Sequence, residues 1–284
     1  MSGARTVTSP WADHRRRAAA LRERHEHAAE MLTLYLALLD VWEQAWPRTR
    51  ADPPAADELA GWAEEHVLPH AVEATERHGP PLLVEGVREL LDRAATGRVL
   101  RGWLAGEDLT PVERYLARAV LRGPLETIDA GAACARDPAP RNERSCPRCA
   151  GPPQLSLRAD AKDGLVAGRR RLACARCGTT WAYSASSCAC CGETDGARRT
   201  IFAEHHDGPK VGRGNGHVPP GSDPPLFPHL RIEACQGCSR YLIDIDAGID
   251  PLAVAEVDEL TALPLDLYAA ERGLTKITPN LMGF

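Results

Sequence analysis

Cys146-Pro-Arg-Cys149, Cys174-Ala-Arg-Cys177, Cys188-Ala-Cys-Cys191 and Cys235-Gln-Gly-Cys238 decide the reading of this chain. Two thiolates at i and i+3 on a tight turn can share one metal ion, and two such turns complete an all-sulfur tetrahedron. Eight cysteines in four pairs therefore point to two metal sites. The first two pairs are separated by 24 residues and the last two by 43, room in each case for a hairpin or a few strands. Sequential pairing joins Cys146/Cys149 with Cys174/Cys177 and Cys188/Cys191 with Cys235/Cys238, and is favoured because it closes the shorter loops. A cross-brace of alternate pairs is the other arrangement.

Zinc and iron both suit four thiolates. Zinc would be structural, with every position closed; iron in the same cage would be redox-active. Each site could contribute on the order of 10 kcal/mol to folding. Cys190, inside the third pair, reads as a bystander thiol, with a substitute ligand as its second reading; Cys134 is assigned no role.

Working outward, the composition fits this interpretation. The 284 residues carry a net charge of -5, 44% hydrophobic residues and ten cysteines, well under the roughly 8–10% of a disulfide scaffold. No apolar run is long enough to span a membrane. Arg15-Arg16-Arg17 is followed by the charged Leu21-Arg-Glu-Arg-His25, not by the apolar core of an export signal. A cytoplasmic protein is the expectation, and in a reducing compartment paired cysteines serve metals more often than disulfides.

Residues 12 to about 135 read as helical. Ala28, Met31, Leu32, Tyr35, Leu39 and Trp42 recur at helical spacing, a second helix is expected over Asp57–His78 with a break at Pro69, and a third uses Leu83, Val87, Leu90, Leu91 and Ala94. Thr110-Pro111-Val112-Glu113 has an N-cap, a first-turn proline and a capping-box glutamate. Cys134–Arg144 reads as a linker. Beyond it, strands are expected at Arg169–Ala173, Thr179–Tyr183, Thr200–His205, His229–Ala234 and Tyr241–Ile245. Asp207–Pro228, with five Gly and six Pro in 22 residues, reads as a mobile loop. A last helix over Pro264–Arg272 ends at Gly273. The predicted fold is α+β: an all-α N-terminal domain (1–140), a first rubredoxin-like or zinc-ribbon module (141–184), and a second module with a short C-terminal helix (185–284).

Other chemistry is poorly supported. His66 and His70 lack the glutamate directly after the first histidine that a zinc-protease helix needs. His205 and His206 end an expected strand, and Gly212, Gly214 and Gly216 lack the strand and helix that flank a phosphate loop. The stretch 141–199 carries eleven Lys/Arg against five Asp/Glu, whereas 239–284 carries three against eight. The basic excess would suit nucleic acid. Two four-thiolate zinc sites near minus two each offset it, and aromatics for base stacking are few. No hydrolytic triad or carboxylate pair is readable, so an enzyme is not expected.

These motifs resemble the formate dehydrogenase accessory protein FdhE family. The resemblance rests on Cys146-Pro-Arg-Cys149 followed by Gly151-Pro152-Pro153, on Leu172-Ala-Cys174-Ala-Arg-Cys177-Gly178-Thr179-Thr180-Trp181, and on Cys188-Ala-Cys-Cys191-Gly192-Glu193-Thr194. It continues through Cys235-Gln-Gly-Cys238-Ser-Arg-Tyr241-Leu242 to Asp266-Leu-Tyr-Ala-Ala-Glu271-Arg272-Gly273 and Pro279-Asn280-Leu281. It covers about residues 144 to 284. It implies a cytoplasmic maturation factor or chaperone, with two zinc or iron ions, that contacts the formate dehydrogenase catalytic subunit before export. A rubredoxin-type redox protein and a zinc-ribbon nucleic-acid binder are the alternatives. Ala150 stands where the family usually has glycine, with Gly151 beside it, and Ser184–Ser187 stand where it commonly carries an arginine.

Overall fold

The N-terminal helices follow from spacing and caps. In the computed structural model, which describes residues 9–128, 133, 143–158, 169–204 and 225–284, seven α-helices run between Ala12 and Thr127. They are α1 (Ala12–Arg24), α2 (Ala29–Ala51), α3 (Leu59–His66), α4 (Leu68–His78), α5 (Pro81–Asp92), α6 (Thr96–Ala105) and α7 (Pro111–Thr127). The Thr110 hydroxyl accepts from Glu113 N–H and the Glu113 carboxylate accepts from Thr110 N–H at 2.9 Å, closing the expected capping box. The break expected at Pro69 falls two residues earlier, at Val67. Proline lacks a backbone donor, so it sits best in the first turn of a new helix, where none is needed. Helix α6 lies within the stretch read as helical but is not singled out there, because Gly97 and Gly102 weaken its helical signal.

The second half forms strands β1 (Pro153–Arg158), β2 (Arg170–Cys174), β3 (Thr180–Ala182), β4 (Arg199–Ala203), β5 (Leu230–Cys235), β6 (Arg240–Asp246) and β7 (Thr275–Lys276), with short helices α8 (Ala255–Asp258) and α9 (Leu263–Glu271). One mixed sheet runs in the order β3-β2-β1-β6-β5-β4, with β7 on β6. The joint is β1, which pairs antiparallel with β2 and parallel with β6 through Ser156–Asp244 and Leu157–Ile245. A single sheet therefore crosses both cysteine modules. Strand β1 is not among the strands read from the sequence, although Gln154-Leu155-Ser156-Leu157 alternates; its polar face, Gln154 and Ser156, is buried as well. Both are bonded: Gln154 to Arg118 and Glu259, Ser156 to Asp244.

Alternation then assigns the faces. Leu155, Leu230, Ile232, Ile243 and Ile245 build a core beneath Ala262 and Ala269 beside α9. Leu172, Trp181 and Leu242 join the larger core, which holds Leu32, Tyr35, Leu39 and Trp42 of α2 and Leu116 and Val120 of α7. The α+β expectation stands. The linker before residue 143, the Asp207–Pro228 loop up to residue 224, Cys134, His205, His206 and the Gly212–Gly216 run lie outside the described residues.

Ionic contacts fix the halves. Three acids at α8 each reach a different element: Glu256 pairs with Arg122 of α7 at 3.1 Å, Asp258 with Arg17 of α1, and Glu259 with Lys276 of β7 at 2.9 Å. Arg118 adds a bond to the Pro279 carbonyl at 2.9 Å. Buried pairs of this kind specify one docking geometry more than they add net stability.

Candidate metal centres

The first three Cys-x-x-Cys turns each close on themselves before meeting a partner. The Cys146 carbonyl accepts from Ala150 N–H at 2.8 Å, Cys174 from Gly178 at 3.1 Å, and Cys188 from Gly192 at 2.9 Å. The residue after the second cysteine is left-handed in all four turns: Ala150 (φ 58), Gly178 (φ 68), Gly192 (φ 81) and Ser239 (φ 52). That conformation is easy for glycine and strained for other residues. Ala150 thus takes up the strain itself. Gly151 does not relieve it but has a different task, since a Cβ there would meet Cys174 Sγ at 2.8 Å and Cys149 Sγ at 3.2 Å.

The structure brings Cys146, Cys149, Cys174 and Cys177 together in one group and Cys188, Cys191, Cys235 and Cys238 in another, with the ligand atoms of each group within 4.8 Å of one another. This is the sequential arrangement. Across the first group Cys146 and Cys177 sulfurs are 3.7 Å apart and Cys149 and Cys174 3.4 Å. Across the second, Cys188 and Cys238 are 3.9 Å apart and Cys191 and Cys235 3.8 Å. A tetrahedron with metal–sulfur bonds near 2.3 Å has edges of about 3.8 Å, whereas a disulfide brings sulfurs to about 2.05 Å. Two groups of four cysteines are positioned to bind metal ions.

Electrostatics agree. Burial, reinforced by Cys146, Cys149 and Cys177, pushes the Cys174 thiol well above its ordinary value, and burial likewise raises Cys188, whereas hydrogen bonds from Cys146, Cys149 and Cys174 push Cys177 down. Four crowded thiols ionise together only around a cation, whose charge deprotonates its ligands. Backbone N–H groups of Arg176 and Cys190 reach Cys174 and Cys188 sulfurs at 3.3 and 3.4 Å, donors suited to thiolate.

The surroundings differ between the centres. The first lies in the larger core, with all four cysteines buried. Arg148 donates to the Ile128 carbonyl at the end of α7 at 2.7 Å, and the Arg176 guanidinium covers the Trp103 ring of α6. Gly178 abuts the Arg122 guanidinium that pairs with Glu126 and Glu256. Burial alone would raise the Glu256 carboxyl, but Arg122, His14 and Arg118 together outweigh it and hold it at about 2. The second centre lies outside both cores, with Cys191 exposed and Cys238 half-buried. The Ser184–Ser187 turn beside it, without an arginine of its own, is held by Arg170 of β2 through the Ser184 and Ser187 carbonyls.

A third group, His229, Asp250 and Asp258, went unnoticed in the sequence. The Arg17 guanidinium stands among them, bonded to both acids and 3.4 Å from His229 Nε2, so their charge is already answered. Arg17, the last residue of the Arg15–Arg17 run, is therefore a structural anchor. His66 and His70 sit on separate helices, α3 and α4.

Comparison with known proteins follows the same lines. No family model matches the chain. It is 28% identical over 139 residues to the "Protein FdhE homolog" of Aquifex aeolicus, covering 49% of this chain and 41% of that protein. It is 30% identical over 137 residues to the homologue of Pseudomonas aeruginosa, covering 48% of this chain and 38% of that protein. The match thus spans about two fifths of the length of these curated relatives. In fold, the crystal structure of the FdhE protein from Pseudomonas aeruginosa aligns with a TM-score of 0.62 at 21% identity, covering 96% of this chain and 95% of that one. The chain is thus similar in sequence to these FdhE homologues over about half its own length, and it shares the fold of the FdhE crystal structure.

Proposed function

We propose that this protein is a non-catalytic assembly factor for formate dehydrogenase, in which two metal ions, zinc or iron, are each held by four cysteines. Cys146, Cys149, Cys174 and Cys177 hold one, and Cys188, Cys191, Cys235 and Cys238 the other. The observation that carries the reading is the pairing of this fold with two four-sulfur groups at tetrahedral spacing in a chain with named FdhE relatives. A bound ion supplies folding energy and, if iron, one-electron chemistry as well.

The first centre then acts as a rivet. Its knuckles carry Arg148, Arg176 and Gly178 against α6 and α7, so the sheet and the helices present one continuous surface. At the seam lies a cavity of about 230 Å³, walled by His14, Arg122, Glu126 and Glu256 and floored by Leu155 and Leu157. The His14 Nδ1 there has no hydrogen-bond partner among the described residues. This seam is where a segment of the dehydrogenase catalytic subunit would be received, in the cytoplasm and before export. Among the described residues no helix is long and apolar enough to cross a membrane.

The test is affinity purification of the tagged protein from its own formate-grown cells, with bound proteins identified by mass spectrometry. Recovery of a formate dehydrogenase catalytic subunit, weakened by Glu256→Lys at the seam, is expected. Recovery of only electron-transfer proteins, or of nucleic acid with salt-sensitive binding, would overturn the proposal.

A further inference from the structure

The seam cavity carries a charge that the fold leaves unanswered. Its walls hold two acids, Glu126 of α7 and Glu256 of α8, against one base, Arg122. Arg122 donates to one oxygen of each, Glu126 Oε1 at 2.7 Å and Glu256 Oε2 at 3.1 Å. Glu126 Oε2 and Glu256 Oε1 make no hydrogen bond or ion pair among the described residues. From α1, His14 brings its Nε2 to 3.9 Å from Glu256, while its Nδ1 is buried without a hydrogen-bond partner among the described residues. Burial pushes the His14 imidazole below its ordinary value, so at neutral pH it adds no second positive charge. Two other cations of these elements are engaged elsewhere: Arg118 with Gln154 and the Pro279 carbonyl, and Arg171 of β2 with the Thr180 hydroxyl at 3.0 Å. The wall is therefore left with one net negative charge above an apolar floor of Leu155, Leu157 and Ala173. The side chains of His14, Glu126 and Glu256 keep 20%, 27% and 18% of their surface exposed, so the mouth is reached from solvent. At about 230 Å³ the space falls below the roughly 300–1,000 Å³ of cofactor and small-molecule sites and suits a single side chain.

We propose that this cavity is a specificity pocket for one arginine side chain of the polypeptide received at the seam. This rests on the reading of the seam as the receiving surface. The methylene stem lies along Leu155 and Leu157, as long cationic side chains do over apolar surface. The guanidinium meets the two open oxygens, Glu126 Oε2 and Glu256 Oε1. With the His14 proton on Nε2, toward Glu256, Nδ1 is a third acceptor. Arginine suits the pocket better than lysine, because its planar fork bonds two carboxylates at once and its charge is less strongly hydrated.

The test is a titration of the full, zinc-loaded chain with capped peptides that carry arginine, lysine, glutamine or glutamate at the centre of four alanines. Binding is followed through the imidazole NMR signals of His14, assigned with a His14→Gln variant. The arginine peptide shifts these signals saturably and binds about tenfold tighter than the glutamine peptide, with lysine between them and glutamate not binding. Glu126→Gln, which leaves Arg122 paired with Glu256, weakens the arginine peptide severalfold and leaves the glutamine peptide unchanged. Equal binding of arginine and glutamine, lysine as tight as arginine, binding of glutamate, or no saturable shift with arginine would overturn the pocket. The four wild-type titrations decide the matter even if Glu126→Gln does not fold. The assembly role fails separately: arginine-selective binding without recovery of a dehydrogenase catalytic subunit from formate-grown cells would refute that role and leave the pocket standing.

Discussion

Replacing Gly178 with alanine should cost far more than the same change at Gly192, although both occupy the left-handed position that ends a knuckle. Gly178 has φ 68 and Gly192 φ 81. A Cβ in this conformation costs roughly 1–2 kcal/mol at either site. At Gly192 the new methyl would find nothing nearer than Arg144 Nη1 at 3.8 Å, an ordinary contact. At Gly178 it would press on Arg122 Nη2 and lie 2.7 Å from Cζ. That guanidinium cannot simply swing away. It is almost wholly buried and holds Glu126 at 2.7 Å and Glu256 at 3.1 Å. Breaking a buried pair costs about 3–5 kcal/mol, so Gly178→Ala should lose about 4–7 kcal/mol and Gly192→Ala about 1–2. The first is comparable with the whole stability of many domains, about 5–15 kcal/mol. Urea unfolding of the zinc-loaded protein under reducing conditions measures both. In an Arg122→Ala background the Gly178→Ala cost should drop to about 1–2 kcal/mol, the signature of coupled neighbours. Equal losses at the two glycines, or no coupling to Arg122, would refute the argument that this knuckle is keyed into α7.

Other expectations are more local. Gly151→Ala would press its methyl against the Cys174 and Cys149 sulfurs; elemental analysis should show the first-centre ion lost while the second remains. Arg17→Met leaves Asp258, whose side chain is fully buried, with His229 and the Val254 N–H as its remaining close partners and no arginine charge; it should destabilise by about 3–5 kcal/mol in urea unfolding, with partial recovery on adding Asp258→Asn. Glu256 is held near 2 against an ordinary 4.5. Its contribution is therefore complete above pH 4.5 and lost as pH falls toward 2, about 3 kcal/mol in all. The stability difference between wild type and Glu256→Gln should hold level from pH 6 to about 4.5 and shrink from there toward pH 2.

The centres were legible because their chemistry is written locally. Four turns each put two cysteines three residues apart, and such a turn needs nothing distant to be recognised. The grouping of the pairs followed from loop length. The capping box at Thr110 and the strands around Leu172 and Ile243 were legible for the same reason. Strand β1 alternates locally like a strand with one wet face, but the burial of its polar Gln154 and Ser156 was not legible, since their partners lie some 36 to 105 residues away. Nor was the role of Arg17, whose acid Asp258 is 241 residues distant. The conversion of two expected modules into one sheet rests on a parallel pairing of three residues between β1 and β6, for which no local pattern exists.

X-ray absorption at the metal edge, together with a metal count per chain, tests the central claim most directly. The account predicts two ions per chain, each with four sulfur neighbours at about 2.3 Å and no nitrogen or oxygen in the first shell. A single ion, a mixed ligand shell, or cysteines recovered as disulfides from reducing, metal-replete preparations would contradict it.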